Sequence, residues 1–209
     1  MLVRHWGGLT HFVEHPEERR PVLHGDFSLN VTNSLTAHHL LGLGLETVTA
    51  AHDLDEGQLF TLVESVPPSR LAVTVHHHVP TFHTEHCVYA HTLSSGRDNR
   101  SCGRPCDEHR VALRDRVGNE HPVIVDVGCR NTVFNAQAQS AATLVPRLIA
   151  AGVWKLRVEF VWETGDEARR VLEGYGALVR GEISPARLLD EIRVHEQFGV
   201  TAGTMRVMR

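Results

Sequence analysis

The stretch Val123-Ile124-Val125-Asp126-Val127 is a short, almost continuous run of β-branched residues. Such runs are typical of strands buried on both faces of a parallel sheet, whereas half-exposed strands alternate apolar and polar residues. The run therefore predicts a strand inside a parallel sheet that carries helices on its faces.

Similar runs occur along the whole chain and alternate with helical patterns. The predicted strands are Leu2–His5, Val22–Leu29, Leu45–Thr49, Leu71–His76, Val123–Val127 and Lys155–Val161. The predicted helices are Leu35–Leu41, Glu56–Val66, Ala138–Ala151, Asp166–Val179 and Pro185–Phe198. Alternation of strand and helix is typical of α/β folds with a parallel sheet. About six strands are two short of a closed barrel, so we predict an incomplete, parallel (β/α) barrel-like fold.

Composition limits the class of protein. The 209 residues are 42% hydrophobic and 22% charged, as expected of a globular domain. A net charge of −4 argues against a surface that coats nucleic acid in general. No apolar run reaches the length of a membrane span. The first residues lack the apolar core of a signal peptide, which predicts a cytoplasmic protein.

All four cysteines of the chain lie in one window. They are Cys87, Cys102, Cys106 and Cys129. Cys102 and Cys106 belong to the polar loop Ser101–Asp107, which does not resemble a core segment. Cytosolic thiols stay reduced or bind metals, so disulfides are disfavoured. We therefore expect ligands of a metal or cluster, with structural thiols as the alternative.

The spacing favours an iron–sulfur cluster over zinc. Structural zinc sites usually have two short pairs of ligands, and only Cys102 and Cys106 form one. A [4Fe–4S] cluster takes one thiolate per iron and accepts ligands from scattered loops. Arg100, Arg104 and Arg130 are close in sequence and are expected to favour the thiolate forms. Zinc stays open as the alternative metal.

Histidines near the first cysteine suggest other zinc chemistries. His83-Thr84-Glu85 with Pro105-Cys106 partly imitates the zinc deaminase signature, with His109 in place of the last cysteine. His83, Glu85 and His86 could be drawn as a zinc peptidase, but they do not form the H-E-x-x-H pattern.

Polar residues follow several predicted strands, where the sites of parallel α/β folds gather. They are Asn30, Asn33, His76–His78, Asp126, Cys129–Asn131, Glu159 and Glu163. Asn33 has an equally good interpretation as the N-cap of the next helix. Asp126 needs a partner if it is buried, and Arg130 is the candidate.

Three groups of residues carry a resemblance to peptidase family U32. They are Gly25–Asn33, Phe82–Cys87 with Ser101–Cys106, and Val127–Thr132. The resemblance extends to about Gly181 and leaves 182–209 as a C-terminal helix and tail. The chain resembles the later portion of members from a branch of the family with longer sequences. This resemblance implies that a partner chain or further sequence completes the barrel.

The resemblance implies a function. Members of this family include proteins named as collagenase-like proteases and proteins similar to oxygen-independent hydroxylation factors. The latter act on ribosomal RNA, on transfer RNA or on the ubiquinone ring. Their four cysteines hold a [4Fe–4S] cluster, and Cys87, Cys102, Cys106 and Cys129 correspond to them.

Three functions follow as hypotheses. The first is a cluster-dependent hydroxylase acting on an RNA base or a small aromatic substrate, with Glu85, Arg130 and Glu159 as the catalytic candidates near an oxygen donor. The second is a metal-dependent peptidase. The third is a non-catalytic RNA-binding module, because 97–116 holds six arginines against four acids.

Overall fold

The computed structural model describes residues 1–96 and 98–192, and these contain eight strands and seven α-helices. The strands are β1 (Leu2–Val3), β2 (His24–Gly25), β3 (Thr47–Thr49), β4 (Leu71–Thr84), β5 (Val111–Arg114), β6 (Glu120–Val125), β7 (Asn131–Ser140) and β8 (Lys155–Val158). The helices are α1 (Trp6–Val13), α2 (Ser34–Gly42), α3 (Glu56–Ser65), α4 (Val88–Leu93), α5 (Val145–Ala150), α6 (Gly165–Val179) and α7 (Pro185–Glu191).

Five strands form the parallel part of the sheet. β1, β2, β3 and β4 lie side by side in chain order, and each pair is parallel. β8 also pairs with the first half of β4 in parallel, from Ala72 opposite Lys155 to His76 opposite Val158. Helices connect these strands, so the predicted α/β class is confirmed.

The second half of β4 leaves this parallel arrangement. From His76 to Thr84 it pairs antiparallel with β7, and β6 and β5 continue the sheet in antiparallel order. The result is one mixed sheet curled into a half-barrel. The predicted incomplete barrel-like form therefore agrees with the half-barrel, whereas the predicted all-parallel order and the count of about six strands were wrong.

The run Val123–Val127 was assigned to the wrong kind of strand. Its first three residues end β6, which lies between the antiparallel neighbours β5 and β7. Val123 is buried, but Ile124 is 36% exposed, so only one face of this strand is covered. The continuous apolar run predicted a strand buried on both faces, but some of its β-branched residues lie on the exposed face of the strand.

Other boundaries also differ from the prediction. The strand predicted over Val22–Leu29 ends at Gly25, and Phe27–Leu29 forms a 3₁₀ turn. The helix predicted from Ala138 begins only at Val145, because Ala138–Ser140 belong to β7. The helix predicted over Pro185–Phe198 is α7 as far as Glu191, and its end lies outside the described residues. The helices predicted from Leu35, Glu56 and Asp166 are confirmed as α2, α3 and α6.

Two hydrophobic clusters hold the described part together. The larger one lies between the parallel strands and their helices, and α7 contributes Leu188, which is fully buried against Gly174 of α6. The smaller one consists of Tyr89, Val123 and Val133, with Cys87 and Cys106 packed on it. The cysteine region thus has a small core of its own.

The predicted division of the chain into 1–181 and 182–209 stays a prediction.

Helix ends follow local sequence signals. Asn33 Oδ1 accepts the Thr36 N–H at 2.9 Å, so the N-cap interpretation of Asn33 is the right one. The side chains of Asp55 and Thr164 begin α3 and α6 with capping boxes. Ser184 caps α7, as the Ser-Pro sequence predicts.

Candidate functional site

Three separate segments present the four cysteines to one pocket of about 730 Å³. Cys87 directly precedes α4, and Cys129 lies in the connection between β6 and β7. Cys102 and Cys106 lie in the connection between α4 and β5. All four are free and partly buried, and all four line this cavity, which we call the cysteine pocket.

The connection that carries Cys129 is shaped by Asp126. Its Oδ1 accepts the N–H groups of Gly128 (2.8 Å) and Arg130 (3.0 Å), and its Oδ2 accepts Arg130 Nε at 2.9 Å. These N–H groups lower the pKa of Asp126. Cys129 itself has φ = 61°, a left-handed conformation that residues other than glycine seldom adopt. Arg130 is indeed the partner of Asp126, and together they hold a strained tip.

The loop with Cys102 and Cys106 is tightly turned. Gly103 and Arg104 both have left-handed φ values, and the Arg104 N–H donates to Cys102 Sγ at 3.4 Å. The Arg104 side chain bonds Asp107, with Nε 3.0 Å from Oδ2. Local backbone geometry thus fixes the direction of both thiols.

The electrostatics differ from the sequence-based expectation. Arg104 and Arg130 are each paired with an aspartate and so add little net positive charge at the thiols. Burial, with the nearby Asp107 charge, raises the pKa of Cys106. The arginines therefore do not favour the thiolate form of Cys106; a bound cation would have to do so.

The thiols share a pocket but are not arranged around a single ion. A tetrahedral zinc with bonds of about 2.3 Å requires sulfur atoms roughly 3.8 Å apart. Within residues 1–96 and 98–192, no three His, Cys, Asp or Glu side chains are grouped closely enough to hold a metal ion. The donors match a four-thiolate site in number and chemistry, and ligation would bring them closer together.

A second pocket of about 600 Å³ lies at the carboxyl ends of the parallel strands, and we call it the barrel-mouth pocket. Arg4 follows β1, Asp26 follows β2 and Glu159 follows β8. Asp26 is fully buried; Arg4 Nε donates to its Oδ2 at 2.8 Å, and Arg157 Nη1 donates to its Oδ1. Arg157 Nε also lies 2.8 Å from Glu159 Oε1, and burial raises the pKa of Glu159.

Histidines form the floor beside this pocket. Burial lowers the pKa of His52 and His76 to about 4 and that of His77 to about 3, so all three are neutral near pH 7. The His52 ring stacks on Phe27, with ring centres 3.9 Å apart, and lies 4.0 Å from the His77 ring. The stacked Phe27 and His52 rings thus give the pocket an uncharged aromatic surface, and the His77 ring behind them is tilted by 40° to His52.

His78 behaves differently because it is paired. Burial is the largest single influence and lowers the pKa of His78. The hydrogen bonds of Nε2 with Glu163 Oε1 (2.7 Å) and of Nδ1 with Asn135 O (2.7 Å), with the Glu163 charge, together raise that pKa. Glu163 also accepts the backbone N–H groups of Val161 and Trp162. Val161 lines both pockets and Trp162 lines the cysteine pocket, so Glu163 fixes the wall between them.

The three predicted catalytic residues are not brought together. Glu85 is exposed after β4 and lines neither pocket. Arg130 is exposed, bound to Asp126, and also absent from both linings. Only Glu159 lines a pocket, the barrel-mouth pocket. The structure does not place the three side chains at one pocket, and their catalytic roles stay predictions.

The histidine-based zinc hypotheses also lack a common site. His83 lines the barrel-mouth pocket, whereas Cys106 and His109 line the cysteine pocket. His86 is exposed, and its ring contacts that of His91 at 5.1 Å. Neither the deaminase-like nor the peptidase-like set converges.

Sequence reasoning missed the arginine pair of the barrel-mouth pocket, Arg4 and Arg157, and their buried partner Asp26. A usable signal was present, since Arg4 and Asp26 each follow a strand directly. It was hidden because the strand ending at Gly25 was predicted to continue to Leu29.

The fold and the pockets define an α/β protein with a four-cysteine pocket beside the carboxyl ends of its parallel strands. A sequence profile of Peptidase family U32 matches residues 17–193, and the chain belongs to that family. No curated protein and no solved structure matches the chain. In the part of the chain that the structure describes, no helix has the length and apolar character needed to cross a bilayer.

Proposed function

We propose that Cys87, Cys102, Cys106 and Cys129 hold a [4Fe–4S] cluster. The observation that supports this proposal is that four cysteines from three separate segments line one pocket. A cluster binds one thiolate per iron, so its ligands can be further apart than those of a single ion. The raised pKa of Cys106 disfavours a catalytic thiol, which needs a lowered pKa, and suits a thiol that loses its proton on ligation.

The reaction that we propose is oxygen-independent hydroxylation of an RNA base or a small aromatic molecule. Replacing C–H by C–OH is a two-electron oxidation, and without dioxygen the oxygen atom and the oxidising equivalents come from a donor molecule that is reduced. When bound, the cluster would supply the electron-transfer or Lewis-acid chemistry.

The residues of the barrel-mouth pocket would bind the substrate. The stacked rings of Phe27 and His52 offer an aromatic surface, and Glu159, whose pKa burial raises, lies 2.8 Å from Arg157 Nε at the same pocket. Val161, whose N–H donates to Glu163, lines both pockets and separates the substrate surface from the cysteines. Glu159 thus stays the candidate for proton transfer.

A Cys→Ser series tests the cluster. Each single variant, purified without oxygen, should lose most of its broad visible absorption and its iron, while Ser95→Ala, an exposed change in the same window, should keep both. Unchanged iron in all four variants would contradict the ligand assignment. Mass spectrometry of candidate RNA or aromatic substrates, with and without dioxygen, would test for the added oxygen atom.

The second candidate function is RNA binding without catalysis. Arg110 lies over the Trp162 ring, 5.6 Å from its centre, at the cysteine pocket, and such a pair can stack on a base. Two results together would favour this function. The Cys102→Ser variant would still bind RNA in a salt-sensitive way, and the wild type would show no hydroxylation. A metal-dependent peptidase remains a further hypothesis, and His86, which lines neither pocket and contacts the ring of His91, weighs against it.

A further inference from the structure

We propose that Asn131 is a positioning residue that fixes the place of Cys129 relative to Cys87 at the cysteine pocket. Asn131 lines neither pocket itself, so it acts through the two cysteine-bearing segments that its side chain joins. The inference rests on the proposed role of the cysteines as ligands, but it does not depend on which metal they hold.

The side chain of Asn131 bridges the two segments with two hydrogen bonds. Its Oδ1 accepts the N–H of Val88, the residue after Cys87, at 2.8 Å, and its Nδ2 donates to the carbonyl of Cys129 at 3.4 Å. Asn131 is fully buried, so its polar groups depend on these partners. One segment offers a donor and the other an acceptor, and an amide, which carries one group of each kind, satisfies both.

The position of Asn131 in the sheet explains how one side chain reaches both segments. It is the first residue of β7 and pairs with Val125 at the end of β6 and with Thr84 at the end of β4. β6 leads directly to the connection that carries Cys129, and β4 leads directly to Cys87. The buried amide thus lies where the two cysteine-bearing connections leave the sheet.

Both backbone polar groups of Cys129 are held in this way. Its N–H donates to the carbonyl of Asp126 at 3.0 Å, and its own carbonyl accepts from Asn131. A left-handed conformation persists in such a residue only where neighbouring contacts impose it, and φ is 61° at Cys129. Loss of the Asn131 bond would free this residue to relax and to turn its thiol out of its present direction.

Helix α4, which follows Cys87, is anchored independently of Asn131. The Tyr89 hydroxyl donates to Val123 O at 2.8 Å and accepts the Val111 N–H at 3.2 Å, so α4 is fastened to β6 and β5. Because α4 is fixed in this way, the amide bridge holds the opposite thiol at a set place relative to the helix. The bridge therefore preorganises two of the four ligands.

Co²⁺ is the probe for this role, because its absorption changes on thiolate ligation whichever metal the protein normally holds. The metal-free full-length chain, kept without oxygen, should bind Co²⁺. Asn131→Leu keeps a branched shape but loses both bonds, and it should weaken Co²⁺ binding about 10- to 100-fold, the usual effect of losing a residue that orients a metal ligand. Asn131→Asp keeps the acceptor for Val88 but loses the donor for Cys129, and it should weaken binding as well.

Two controls separate positioning from a general loss of stability. Tyr175→Phe removes a buried hydroxyl that donates to Val75 O at 2.7 Å and lines neither pocket, so it should lower Tm without changing the Co²⁺ affinity. In a Cys129→Ser background, where three thiols remain, Asn131→Leu should have little further effect on that affinity, because the bridge then has no ligand to position. A merely structural role of Asn131 would weaken binding equally in both backgrounds.

Three results would overturn the proposal. They are no Co²⁺ binding by the wild type, wild-type affinity in both Asn131 variants, and an equal loss of affinity in the Cys129→Ser background. Iron and zinc analysis of the same wild-type protein tests the cluster separately. Zinc in place of iron, together with weakened Co²⁺ binding by Asn131→Leu, would refute the cluster and support the positioning role. A full iron content with unchanged Co²⁺ binding by both Asn131 variants would do the reverse.

Discussion

Replacing the buried Asp26 by asparagine should destabilise the protein by about 2–3 kcal/mol. Removing one partner of a fully buried ion pair costs about 3–5 kcal/mol, because the other charge is left uncompensated. Asp26 is fully buried, but the side chains of Arg4 and Arg157 are 66% and 27% exposed, so water can solvate them in part. Asparagine also keeps one oxygen acceptor, and both effects reduce the cost.

Urea unfolding followed by circular dichroism would measure this change. For a chain of this size the loss corresponds to a fall in Tm of about 5–10 °C. Glu182→Gln is the matched control, because it breaks an exposed pair with Arg180 that should contribute at most about 1 kcal/mol. If Asp26→Asn were as stable as Glu182→Gln, the account of a carboxylate that anchors two arginines would be refuted.

Three further predictions concern other parts of the molecule. Tyr89→Phe should cost about 1–2 kcal/mol in urea unfolding, because the buried hydroxyl donates to Val123 O at 2.8 Å. Without metal, the Cys129→Gly variant should be about 1 kcal/mol more stable than Cys129→Ala, because the φ of 61° at this position strains any residue with a Cβ. Equal stabilities would argue against backbone strain there. Relative to the wild type, Glu163→Gln should be destabilised most between about pH 4.5 and 6.5, which Tm measured against pH would show. A Tm difference between the two proteins that stays constant across pH would contradict the pairing with His78.

The sign of that pH dependence follows from both partners. His78 has a raised pKa, so its contribution is complete below the unfolded value of 6.5 and is lost as the pH rises through the folded value. Glu163 has its pKa lowered from 4.5 to about 2, so its contribution is present above 4.5 and is lost as the pH falls towards 2.

The parallel half of the fold was predictable because local pattern and tertiary role agree there. Strand β4 begins at Leu71, as predicted, and α6 carries apolar residues at helical spacing towards the core. The antiparallel half was not predictable in this way. Ala138–Ser140 were predicted to begin a helix, but pairing with β4 makes them the end of β7.

The two pockets also differ in how far their residues could be predicted from the sequence. The cysteines stand out in the sequence because they are rare residues in one window, and the structure places them around one pocket. Arg4, Asp26 and Arg157 are common residue types distributed over more than 150 positions. β8 lies beyond β3 and β4 from β2, and the curl of the half-barrel brings Arg157 back to Asp26.

The iron and zinc content of the wild-type protein, purified without oxygen, tests the central claim most directly. The account predicts about four irons per chain with matching acid-labile sulfide, and little zinc. One zinc per chain with no iron would contradict the cluster and would leave the four cysteines as a zinc site.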